Sequence, residues 1–418
     1  MLEPKELEKR RTHRAKQTKT KKRKRSVAPF VLVVLIAYVV SALVVPMPDL
    51  QVDSAAPKTL PAGSVNIPWP TYGQTAIGAV GYGILSQNGD QKPLPIASVA
   101  KVMTAIAVLK AHPMQPGTQG ETITITKEDV AVYNRYILEG QSAVEVEAGE
   151  QLTQYQALQA LLLPSANNMA DVLARWAFGS LEEYIGFVNS FTKTLGMENT
   201  VIADASGFSP KTTSTAIDLA KLAEIAMNHP TVAEIVAQPQ ANLPVAGIVY
   251  NVNNQLGSNG IVGIKTGNTD EAGGCYMFAA SRKIDENNTI TVFGVIMGAP
   301  DLATAIADSL PLLDETFKNF RVIKPVGTNQ VVGKLTQAGG GGVPIIVHQG
   351  KAVVGWVGQA PRVEISVDAK SAPVIAGDKV GELTLYVGNM THEMNLIAAD
   401  SVAAHTVLWR LRHAGGYL

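Results

Sequence analysis

The apolar pattern changes period once along this chain, near Ile323, and that change limits the folds open to it. Upstream, apolar residues recur at helical spacing over residues 99–109 and 154–163. The same spacing runs from near Asn168, where Ala170, Val172, Leu173 and Trp176 supply a buried face, and then over 181–195, 216–227 and 301–319. Between these lie strand-like stretches at 75–85, around Ile261, at 276–280 and at 289–297. Downstream, helical spacing vanishes, glycines cluster at 339–342, and short alternating runs at 352–357, 362–367 and 382–387 predict a small all-β domain. The chain is therefore expected to be mixed α/β (α+β), with a body over 71–323 and a β domain over 324–398. Its 418 residues suit two folded domains.

Residues 27–45 run apolar without a charge, directly after Lys21-Lys22-Arg23-Lys24-Arg25. This predicts one transmembrane helix, with a basic cytoplasmic tail at 1–26 and all that follows Pro46 outside the cytoplasmic membrane. A cleaved signal sequence ending at Val40-Ser41-Ala42 is the alternative, which would leave a secreted or wall-associated body. The long basic segment and the length of the apolar run favour a retained anchor. Residues 46–70, rich in Pro, Ser, Ala and Gly, read as a linker. The segment before Ser26 holds twelve of the 35 Lys and Arg residues and three of the 35 acids, so the remainder is mildly acidic. That balance argues against nucleic acid as a partner. The tail at 399–418 regains helical spacing, with Val402, Leu408, Trp409 and Leu411 beside Arg410 and Arg412. An amphipathic helix on a membrane surface and a terminal helix packed on its own domain fit that pattern equally.

Cys275 is the only cysteine, so no internal disulfide exists, and it reads as a small buried hydrophobe. No metal or other cofactor is expected, because the histidines are scattered and the cysteine has no partners.

Ser98-Val99-Ala100-Lys101 places a hydroxyl and an amine one helical turn apart, where they can meet. Serine needs a neighbouring base to act as a nucleophile, and a lysine can be that base when desolvation or another cation lowers its pKa. Alone the pattern is weak, since many surface helices carry it. Ser165-Ala166-Asn167 follows a helix stopped at Pro164, and Lys265-Thr266-Gly267 lies in a strand between glycines. Each is ordinary by itself, a cap and a strand end. Together, in the order SxxK, SxN, KTG and in helix, loop and strand contexts, they form the signature of penicillin-binding proteins and class A β-lactamases.

The region 75–321 resembles the low-molecular-mass penicillin-binding proteins of the D-alanyl-D-alanine carboxypeptidase family. The likeness extends to 97–104, Ala148-Gly149-Glu150-Gln151-Leu152-Thr153, 161–170, Ser214-Thr215-Ala216-Ile217-Asp218-Leu219-Ala220 and 263–274, and 373–387 resembles the family's C-terminal domain. The resemblance implies a serine β-lactamase-like domain, in which an antiparallel sheet is flanked by helices beside an all-helical lobe. It makes Ser98 the nucleophile and Lys101 the general base, with Ser165 and Asn167 holding the hydrogen-bond network and the substrate amide. Lys265 and Thr266 would bind the substrate's terminal carboxylate beside Gly267, and the backbone N–H groups of Ser98 and Asn268 would form an oxyanion hole. The implied substrate is a peptidoglycan stem peptide ending in D-Ala-D-Ala, with β-lactams as inhibitors. Asn268 stands where relatives often have His or Tyr, and Val252 and the 297–300 segment lack arginines found in some relatives. A DD-endopeptidase or β-lactamase of the same fold, and a non-catalytic membrane-anchored wall-binding scaffold, are the rival expectations.

Overall fold

The computed structural model describes residues 27–59, 61–368 and 371–413; the basic segment 1–26 and the end of the 399–418 tail lie outside these. The helices are α1 (Ala28–Val44), α2 (Ala100–Ala111), α3 (Lys127–Leu138), α4 (Gln154–Leu162), α5 (Asn167–Phe178), α6 (Leu181–Thr194), α7 (Ala216–Asn228), α8 (Pro230–Val236), α9 (Leu302–Lys318) and α10 (Val407–His413). The strands of the two larger sheets are β1 (Gln51–Ser54), β2 (Gln74–Ala79), β3 (Gly83–Asn88), β4 (Ile261–Thr269), β5 (Gly273–Lys283), β6 (Thr289–Ala299), β7 (Val331–Thr336), β8 (Gly342–Val347), β9 (Arg362–Val367), β10 (Lys379–Val387) and β11 (Met390–Ala398).

An antiparallel sheet in the order β4-β5-β6-β2-β3 carries the body. Side chains on successive strand residues point to opposite faces. Met277, Ala279, Phe293 and Val295 therefore enter a core shared with α2, α4, α5 and α7. Tyr276, Phe278, Ala280 and Ile296 enter a second core shared with α9 and the C-terminal sheet. The mixed fold of helices and antiparallel sheets is as expected. Within the helical lobe, α2 is buried from Ala100 through Leu109, so it is a core helix surrounded by protein rather than an amphipathic surface helix. This burial strips water from Lys101.

Two helices escaped the periodicity, α3 and α8. Most of α3 faces solvent and only Asp129 is buried, so it has little apolar stripe to read. Its start was nevertheless written in the sequence: Thr126 Oγ1 accepts from the Asp129 N–H (3.2 Å), and Asp129 Oδ2 accepts from the Thr126 N–H (2.9 Å). That is a capping box, with Asp in place of the usual Glu or Gln.

The second sheet runs β1-β7-β8-β11-β10-β9. Its first strand comes from the segment expected to be only a linker: β1 pairs with β7 in the register Gln51↔Thr336 to Ser54↔Gly333. The Gly63 N–H also donates to the Val357 carbonyl at 2.7 Å, just after the strand Val353–Trp356, so this stretch is bound along the C-terminal domain rather than free. The turn after β2 docks on the same unit. There the Tyr82 hydroxyl donates to the Val354 carbonyl at 2.8 Å and its ring meets Phe320 edge-on at 5.1 Å.

The apolar run forms α1, 17 residues long, and no helix among the described residues is long and apolar enough to cross a membrane. The end of α1 is set by Val45, which is extended (ψ 128°) because Pro46 follows. The helix α10 packs beside α1, where the Arg410 guanidinium donates to the Leu43 carbonyl (3.0 Å) and the Tyr38 hydroxyl to the Leu411 carbonyl (2.5 Å), and its Trp409 ring lies against Gly339 of the C-terminal domain.

Candidate active site

Ser98 lies in a tight turn, Ala97–Val99, that leads into α2. Ala97 takes a left-handed conformation (φ 47°), which an alanine holds only when its surroundings enforce it. Gly207 supplies that enforcement, packing so closely that a Cβ on it would fall 1.9 Å from the Ala97 carbonyl oxygen. The serine is thus presented by a turn clamped from outside by the 203–209 loop.

One helical turn onward, Lys101 is fully buried. Its Nζ lies 2.8 Å from Ser98 Oγ, 2.6 Å from Asn167 Oδ1 and 2.9 Å from the Ser206 carbonyl. Burial pushes its pKa well below the ordinary lysine value, and the Lys265 ammonium pushes the same way. The Asp204 and Asp171 carboxylates pull against them. An amine in this environment is able to take a proton from the hydroxyl beside it.

Asn167 opens α5. Its backbone N–H donates to the Ser142 carbonyl (2.8 Å) and its Nδ2 to Gln141 Oε1 (2.6 Å). Ser165, two residues earlier, is also left-handed (φ 66°) and only 6% exposed. Among the described residues its hydroxyl has no hydrogen-bond partner.

Lys265 reaches the site from β4. Its Nζ donates to the Thr266 carbonyl (3.0 Å), no carboxylate pairs with it among the described residues, and burial alone lowers its pKa to about 7. A buried cation without a counter-ion is costly, and an anionic ligand would relieve that cost. Gly267 brings β4 against the serine turn: a Cβ there would sit 3.0 Å from the Ser98 nitrogen and 3.2 Å from that of Val99. Thr266 is 4% exposed, and Asn268 is exposed at the strand end.

Of the residues singled out in the sequence, Ser98, Lys101 and Asn167 are thus hydrogen-bonded together. Lys265 joins them through its charge and Gly267 through its packing. Ser165, Thr266 and Asn268 belong to the same loop and strand without a direct bond to the three. Sequence reasoning missed Asp204, Ser206 and Gln141. Asp204 holds the loop that carries the Ser206 carbonyl, accepting from Ser206 Oγ (2.7 Å), the Phe208 N–H (3.0 Å) and Thr212 Oγ1. An Asp three residues before a glycine was a legible turn signal. Gln141 carried no signal, because its contact arises only from folding.

DacC, a D-alanyl-D-alanine carboxypeptidase of Escherichia coli K12, is 28% identical over 247 residues, 58% of this chain and 60% of that protein. The chain thus spans about three-fifths of the length of that relative. A D-alanyl-D-alanine endopeptidase of the same organism is 29% identical over 240 residues, 54% of this chain and 70% of the other. Among solved structures, penicillin binding protein 5 from Haemophilus influenzae aligns with a TM-score of 0.58 at 19% identity, over 81% of this chain and 100% of that one, a likeness of fold. Residues 78–301, more than half of the chain, match the family described as D-alanyl-D-alanine carboxypeptidase, peptidase S11, and the chain belongs to that family.

Proposed function

We propose that the protein is a serine D-Ala-D-Ala carboxypeptidase that removes the terminal D-alanine from peptidoglycan stem peptides and is acylated by penicillins. The observation that carries this is the buried Lys101 amine within hydrogen-bond distance of both Ser98 Oγ and Asn167 Oδ1, with a second buried amine, Lys265, acting on it. Ser98 Oγ attacks the carbonyl of the penultimate D-alanine while its proton passes to Lys101 Nζ. The C–N bond breaks as Lys101 returns that proton to the departing D-alanine amine, leaving an ester on Ser98. Water, losing a proton to Lys101, then hydrolyses the ester, and Ser98 recovers the proton. Asn167 orients the substrate amide beside Ser165, and Lys265 with Thr266 binds the terminal carboxylate. The N–H groups of Ser98 and Asn268 hold the developing oxyanion, and Gly267 lets β4 close on them.

Labelling with a fluorescent penicillin tests the proposal: wild type takes the label on Ser98, and Ser98→Ala takes none. Equal labelling of the two proteins removes Ser98 as nucleophile. Gly267→Val drives a branched side chain into the main chain of Ser98 and Val99, and should slow labelling about 100-fold. Stopped-flow fluorescence measures that rate, and a wild-type rate would mean that β4 does not set the serine's position.

The endopeptidase relative favours a second reading, cleavage of cross-linked peptides, within the same chemistry. D-Alanine release from a pentapeptide, set against cleavage of a cross-linked dimer, separates the two. We also place the body outside the cytoplasmic membrane. The basic run before α1 and the exposure of Phe30, Val31, Leu35 and Ile36 on α1 support attachment to that membrane.

A further inference from the structure

Asn167 can serve Lys101 only with its oxygen toward the amine, yet the two ends of a carboxamide are almost identical in shape, so neighbours must set which end faces where. The neighbours here form a line. Glu139, a carboxylate that only accepts, takes the Gln141 Nε2 hydrogen at 2.7 Å. That leaves Gln141 Oε1 facing Asn167, where it accepts from Nδ2 at 2.6 Å, and Asn167 Oδ1 in turn faces Lys101 Nζ at 2.6 Å. Turning Asn167 over would set oxygen against oxygen at Gln141 and place N–H groups against the amine at Lys101.

We propose that Glu139, Gln141 and Asn167 form a one-way hydrogen-bond relay, in which Gln141 is the positioning residue that keeps the Asn167 oxygen on Lys101. The backbone supports this placement. Gly140 is left-handed (φ 70°), and the Gln141 N–H donates to the Tyr136 carbonyl (2.9 Å). The Ser142 carbonyl accepts from the Asn167 N–H at 2.8 Å, and Val144 exchanges two bonds with the Asn168 side chain (3.1 and 2.9 Å). The 139–144 segment is thereby fixed against the first turn of α5 at several points, and Gln141 reaches Asn167 from a held position. Glu139 is exposed, so its own share is screened by solvent. The relay rests on the proposed Ser98–Lys101 chemistry.

Gln141→Met keeps the length of the side chain and removes its acceptor. Acylation by a fluorescent penicillin should slow about 10–100-fold. The acid limb of the rate profile should move to lower pH, because N–H groups turned toward Nζ disfavour the ammonium. The other charges acting on Lys101, from Lys265, Asp204 and Asp171, are unchanged in this variant. A merely loosened pocket would admit water and move that limb upward instead. The charge-swapped pair Glu139→Gln with Gln141→Glu restores a donor-to-acceptor line and should recover the rate to within about threefold of wild type. Gln141→Ser supplies the same comparison if thermal unfolding shows that Gln141→Met does not fold. A wild-type rate in Gln141→Met, an upward shift of the limb, or a swap that recovers nothing overturns the relay. Labelling of Ser98→Ala at the wild-type rate would instead overturn the underlying chemistry, so the two failures are distinguishable.

Discussion

Lys101→Met should slow acylation of Ser98 by about 10³–10⁴-fold while the protein still folds. The loss is large because nothing else near the hydroxyl can take its proton: the hydrogen bonds at Ser98 Oγ run to the Lys101 amine alone among the described residues. Lys265 Nζ bonds to the Thr266 carbonyl and not to the serine. Folding survives because methionine fills nearly the same volume and removes a desolvated amine. Against that gain, Asn167 Oδ1 and the Ser206 carbonyl lose a donor. The two effects oppose each other, so net stability should change by no more than about 1–3 kcal/mol. Mass spectrometry of the penicillin adduct over time measures the rate, and thermal unfolding confirms the fold. Acylation within tenfold of wild type would show that the proton leaves Ser98 by another route, and the proposed role of Lys101 would be lost.

The parts of this site that could be read from the sequence are those whose spacing is local. Ser98 and Lys101 meet because a helical turn brings residues three apart together, and the strand around Lys265 is marked by its flanking glycines. The central sheet was legible where buried strands such as 289–297 are rich in β-branched and apolar residues. What stayed hidden depends on contacts between distant segments. β1 has all four residues exposed and owes its strand conformation wholly to pairing with β7, so neither burial nor periodicity marks it. Gln141 and the Ser206 carbonyl reach the site from loops whose course is set by other elements. The apolar run at 27–45 was read at its full length, but Pro46 extends Val45 and ends the helix at Val44. In each case a local rule gave the residue type, and a distant contact or a neighbouring proline decided its place.

Lys265→Met should be more stable than wild type below about pH 7 and also a far poorer enzyme. The folded-state pKa of Lys265 is lowered to about 7 from 10.5 by burial, with no carboxylate among the described residues to offset it. Between these two values the unfolded chain binds the extra proton and the folded one does not, so wild-type stability rises with pH through that window. Below about pH 7 both states carry the proton, and the full cost of the buried ammonium is present and constant. Methionine carries no such cost. The variant's advantage should therefore be greatest near pH 6, on the order of 1–4 kcal/mol, and should shrink as pH rises toward 10. Acylation should fall about 100-fold, because the carboxylate of substrate or penicillin loses its cationic partner and Lys101 loses a charge that holds its own pKa down. Denaturant unfolding at pH 6 and pH 9 measures the first effect and the labelling rate measures the second. A variant less stable than wild type at pH 6 would mean that the ammonium has a compensating partner in the folded protein. The buried ammonium would then no longer support the proposed binding of an anionic peptide end.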